Sequence, residues 1–107
     1  MKETSKARYV FDASSIFEAY ENHLQNILYG NITSFYSLIE IGNIIYKHSK
    51  LLKRIPESEA NRYIEDLYKI LKIMIKYQPL TSEDFSSILN ISLNFNITFY
   101  DAIYAYI

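Results

Sequence analysis

Tyr9-Val10-Phe11-Asp12-Ala13-Ser14-Ser15 is the stretch on which the fold turns. Three apolar residues end in a carboxylate, which gives way to small residues that can open a helix. In a parallel α/β sheet, ligands bind just beyond the carboxyl ends of the strands. A strand over residues 8–12 would deliver Asp12 to that edge, where an acid can do chemistry. The same Asp also suits an ordinary helix cap, since Asp is among the favoured N-cap residues. What the rest of the chain brings beside Asp12 decides between the two.

Downstream, apolar residues Ile16, Phe17, Tyr20, Leu24, Ile27 and Leu28 recur at i, i+3, i+4 spacing, predicting an amphipathic helix over 14–28. Gly30 and Asn31 can take the left-handed conformation that stops it. Ile32-Thr33-Ser34 follows as a short strand, with Ser34 placed to cap a helix over 35–50. In that helix Leu38, Ile41, Ile44 or Ile45, and His48 share one stripe, while Glu40, Asn43 and Lys47 share another. Neither His48 nor His23 has a partner at metal-binding spacing, so both are expected at a helix end or on the surface.

Lys47, Lys50, Lys53 and Arg54 cluster where that helix ends. Cations there complement the helix dipole, and they can also meet phosphates. Pro56 suits the first position of the next helix, with Glu57 and Glu59 in its favourable first turn. That helix runs on to Met74. Residues 75–80 alternate apolar and polar up to Pro79 and predict a strand. Thr81 and Asp84 resemble a capping box for a helix closed by Asn94 or Asn96. Thr98 and Asp101 repeat the cap signal for a last helix. Strands and helices in this alternation imply a mainly parallel sheet covered by helices.

Composition narrows the function classes. The 107 residues support one domain, expected over 8–107 behind a solvated tail at 1–7. Half of the residues are apolar and 21% charged, which excludes a disordered chain. The net charge of −1 carries no global basic signature of nucleic-acid binding. Without cysteine there is no disulfide framework, thiolate metal site or thiol nucleophile. The first six residues lack the apolar region of a signal peptide, and no apolar run reaches membrane-spanning length. A soluble, cytoplasmic protein is expected. Most of the eleven Tyr recur at helical spacing beside Ile and Leu and are expected to pack in the core.

Three acids then matter: Asp12 after the first strand, Glu40 between two isoleucines inside the second helix, and Asp101 opening the last. Asp12 and Asp101 could both be caps. Glu40, expected beyond the first turn of its helix, is less readily explained that way. Hard cations such as Mg²⁺ or Mn²⁺ take oxygen ligands, and hydrolytic enzymes use them to polarise phosphate and activate water. No zinc spacing, phosphate-binding glycine loop or Ser/His/Asp arrangement competes.

The motifs in order carry a resemblance. Tyr9-Val10-Phe11-Asp12-Ala13-Ser14-Ser15, then Ile32-Thr33-Ser34 with Leu38-Ile39-Glu40-Ile41-Gly42-Asn43, then Ile97-Thr98-Phe99-Tyr100-Asp101-Ala102-Ile103-Tyr104 resemble the PIN domain family, and within it the VapC-type toxins. The resemblance spans residues 8–107. It implies an α/β fold of three αβα layers around a short parallel sheet, and a metal-dependent ribonuclease of toxin–antitoxin pairs. Asp12 and Asp101 would be Mg²⁺ or Mn²⁺ ligands, and Glu40 would bind metal or orient its water. Ser14 and Asn43 would support them, and the acids would raise one another's pKa without a cation.

Implied partners are an RNA substrate, a small antitoxin and a second copy in a homodimer, with no membrane. Family members continue into a further strand bearing another Asp, so the chain is expected to lack that strand and to be C-terminally incomplete. The competing expectation is a catalytically incomplete remnant that acts as a binding or dimerisation module. A third is an unrelated α-rich interaction protein whose acids are only caps.

Overall fold

The computed structural model describes residues 8–107, and the tail expected at 1–7 lies outside the described residues. The architecture is mixed α/β: among the described residues, five α-helices accompany a two-stranded parallel sheet. The helices are α1 (Ala13–Glu21), α2 (Ser37–Tyr46), α3 (Glu57–Lys72), α4 (Ser82–Phe95) and α5 (Phe99–Tyr106). The strands are β1 (Ile32–Ser34) and β2 (Ile75–Tyr77), in register with Ile32 opposite Ile75 and Ser34 opposite Tyr77.

β1 is central. Its Ile32 C=O accepts from the Phe11 N–H at 2.8 Å, and its N–H donates to the Tyr9 C=O at 2.9 Å. On the other side, the Asn31 C=O accepts from the Ile75 N–H at 2.9 Å. The strand expected over 8–12 is therefore reduced to a single parallel bridge, Val10 to Ile32. Asp12 has already turned out of the ladder to cap α1, so pairing stops at Phe11. The strand expected over 75–80 ends at Tyr77, just before a segment whose Pro79 has no N–H to offer a ladder.

Helix boundaries shift for similar local reasons. α1 stops at Glu21 instead of reaching residue 28. The Asn22 side chain donates to the Glu18 carbonyl at 2.9 Å, competing with the next helical turn, and His23 turns left-handed at φ 59. The expected apolar stripe survives in part through a 3₁₀ turn, Gln25–Leu28, which buries Leu28 but leaves Leu24 and Ile27 exposed. Ser34 does not cap α2: its hydroxyl accepts from the Tyr36 N–H and tightens the turn, and Tyr36 is the cap position. α2 then passes into a π turn, Lys47–Leu51. Pro56 occupies the cap position of α3, one before the place expected, and α3 ends at Lys72. The Thr81–Asp84 capping box and the left-handed Asn96 form as the spacing predicts.

α1 packs on α2 and α2 on α3, around a core of Ile16, Phe17, Leu28, Ile41, Ile45, Leu67 and Leu71. α4 packs on α5 around a smaller cluster of Ile88, Ala102 and Ile103, and α5 reaches β1. The tyrosines meet the expectation in part: none is fully buried, but Tyr20 and Tyr63 pack against the larger cluster and Tyr36 and Tyr106 against the smaller. A half-buried phenol still needs a partner for its hydroxyl, and four of the tyrosines find a carboxylate. Tyr20 donates to Asp66 at 2.6 Å, Tyr63 to Glu21 at 3.4 Å, Tyr104 to Glu40 at 2.7 Å and Tyr106 to Asp84 at 2.8 Å. Among the described residues no helix is long and apolar enough to cross a membrane.

Candidate functional site

Asp12, Glu40 and Asp101 line one open cleft of about 490 Å³, with Ser14, Asn43, Lys47, Tyr100 and Tyr104 among its other walls. Three separate elements supply the acids. Asp12 stands at the end of the Val10 segment, its backbone extended at φ −84 and ψ 175, and its Oδ1 accepts from the Ser15 N–H at 2.9 Å. It is therefore a helix cap that also faces the cleft.

Glu40 lies in the first turn of α2, contrary to the expectation that it sits deeper, because the helix begins at Ser37. Its half-buried side chain is held by the Tyr104 hydroxyl. Asp101 occupies the first turn of α5, where its N–H donates to Thr98 Oγ1 at 3.1 Å.

The two Thr–Asp caps differ in a way that bears on function. In α4 the Asp84 carboxylate closes its box, accepting from the Leu80 and Thr81 N–H groups and from Tyr106. In α5 only the Thr98 half forms. Among the described residues nothing donates a hydrogen bond to the Asp101 carboxylate. The cap thus occupies the backbone of Asp101 and leaves its acid to the cleft.

A buried chain of hydroxyls stands behind Glu40. Thr33 and Ser37 are fully buried, and Thr33 Oγ1 donates to the Phe11 carbonyl at 2.8 Å. The Thr33 and Ser37 hydroxyls are in hydrogen-bond contact, and Ser37 Oγ lies 2.8 Å from the Tyr104 oxygen. Tyr104 completes the run to Glu40. Three hydroxyls carry three hydrogens for four contacts, so with Thr33 donating to Phe11 and Tyr104 to Glu40, Ser37 donates to one of its two neighbours at a time.

Burial raises the Glu40 pKa above the usual carboxylate value, the charges of Asp101 and Asp12 add to it, and the Tyr104 hydrogen bond opposes them. The Tyr104 phenol is itself pushed far up by burial and by its contact with Glu40.

The donor set is all hard oxygen, the chemistry Mg²⁺ or Mn²⁺ requires. Among the described residues, however, no three His, Cys, Asp or Glu side chains converge closely enough to hold an ion. Ser14 and Asn43, expected to support the acids, line the cleft, but among the described residues neither hydrogen-bonds to them.

Two residues acquire roles that the sequence reading did not assign. Tyr104 follows Asp101 by three positions and so shares its helix face, and Ser37 precedes Glu40 by three. That spacing was the available signal. His48 sits at the end of α2, as expected, half-buried against Phe17 with ring centroids 5.0 Å apart. No protein-family model, curated protein or solved structure matches the chain.

Proposed function

We propose that the chain is a PIN-like, metal-dependent endoribonuclease of the VapC toxin type, acting in the cytoplasm. One observation carries the reading: three acids from three distant parts of the sequence line a single cleft. The order and spacing of the motifs around them support it. Asp12, Glu40 and Asp101 would hold Mg²⁺ or Mn²⁺, which supplies charge neutralisation at a phosphodiester and an activated water. Glu40, backed by Tyr104, would orient that water or exchange its proton. A second copy of the chain and a small antitoxin are the proposed protein partners.

The acids do not converge closely enough to hold an ion as they stand, so binding would have to draw them together. That same separation favours a second reading, a catalytically incomplete remnant that works as a binding module. The two part on one experiment. The purified chain is incubated with labelled structured RNA, with and without Mn²⁺, beside Asp12→Asn. Metal-dependent cleavage that disappears in the variant is the expected result. No cleavage from protein shown to be folded would leave the binding module as the reading.

A further inference from the structure

The acid cleft continues past Lys47. A second groove of about 370 Å³ runs between α1 and the end of α2, and it shares Ser14, Ile44 and Lys47 with the first. Lys47 follows Glu40 by seven residues, two helical turns and about 10 Å along the same face. Among the described residues its ammonium makes no ion pair.

Arg54 enters the groove from the loop beyond α2, where the backbone is irregular throughout. The π turn Lys47–Leu51 is followed by Lys53 in the left-handed region at φ 57. The His48 carbonyl accepts both the Arg54 N–H at 2.7 Å and the Ile55 N–H at 3.1 Å. These contacts place the Arg54 guanidinium as a donor to His48 Nδ1, with Glu21 at 3.9 Å. Glu21 is engaged by Arg54 and by the Tyr63 hydroxyl, and Glu18 is the remaining acid on the wall.

We propose that this groove is a phosphate subsite, in which Lys47 and Arg54 take the sugar–phosphate backbone of single-stranded RNA beside the phosphodiester held at the acids. Arginine matches phosphate with a planar fork and lysine with a mobile point charge. Because the groove shares Ser14, Ile44 and Lys47 with the acid cleft, a strand held at the acids would run on into it. The inference rests on the nuclease reading of the adjoining cleft, and its test is a binding measurement independent of cleavage.

The probe is a fluorescein-labelled oligouridylate of about twelve nucleotides, within the span of ordinary single-strand sites. Its anisotropy is followed with the Asp12→Asn protein in EDTA, so no strand is cut. In that background Lys47→Ala and Arg54→Gln should each weaken binding roughly 5- to 20-fold and flatten the log–log salt dependence by about 0.7. Lys69→Ala, with the same loss of charge on α3, should change affinity by less than about twofold. Lys47→Glu, at an exposed position, should weaken binding further while its circular dichroism stays unchanged. Equal losses from Lys69→Ala, or no saturable binding at all, would overturn the subsite. Absence of Mn²⁺-dependent cleavage in the unmodified chain would count against the acid cleft alone.

Discussion

Tyr104 meets Glu40 and Ser37 through one hydroxyl, so removing that atom tests the buried chain without disturbing the ring. Tyr104→Phe should lower stability by about 1–2 kcal/mol in urea denaturation, the cost of leaving a half-buried acid and a buried serine short of a partner. An unchanged unfolding midpoint would show that water replaces the hydroxyl. Gly30 offers a separate test. It stands at φ 75, and an added Cβ would meet no atom within 4 Å. Gly30→Ala should therefore cost roughly 1 kcal/mol from backbone conformation alone, read in the same denaturation experiment.

At the scale of elements, α4 owes its start to a closed capping box, and that box titrates. The Tyr106 hydroxyl first, then the backbone N–H groups of Leu80 and Thr81, hold the Asp84 carboxyl down at about 2, against an ordinary 3.8. A depressed folded pKa means that the ionised box stabilises the fold above the unfolded value. That contribution is lost as pH falls from about 4 through about 2. Melting temperature should drop across this window more steeply in the unmodified protein than in Asp84→Asn, and matching slopes would refute the assignment. Both Thr–Asp caps were legible in sequence, because a cap depends on residues three apart. Whether a carboxylate closes its box was not legible: Asp84 has Tyr106 and two loop N–H groups to meet, while Asp101 opens onto the cleft. Nor was the end of α1, where one side-chain amide on Asn22 outweighs an apolar pattern that continues to Leu28. The three acids were legible as a set, since Asp12 follows a strand, Asp101 opens a helix, and Glu40 stands between two isoleucines where a cap did not readily explain it. How closely they converge depends on how three separate elements pack, which no local pattern encodes.

Across the whole molecule, the two hydrophobic clusters are unequal. Among the described residues, twelve buried side chains from Ala13 to Met74 form the larger one, and Ile88, Ala102 and Ile103 form the smaller. Local opening free energy follows buried apolar contact, so the α4–α5 pair should open before the rest. Amide hydrogen exchange is expected to show lower protection in α4 and α5 than in α2 and α3. This bears on the cleft, because Asp101 rides on α5 while Asp12 and Glu40 belong to the larger unit. An ion shared by the three acids would tie the less stable unit to the more stable one. Since a ligand stabilises only the states that bind it, Mn²⁺ should raise protection selectively in α5 and its partner α4. With Asp101→Asn the metal should have no such effect. Protection that rises evenly over all helices would point to ion binding away from the cleft, and no change would place the acids outside metal chemistry.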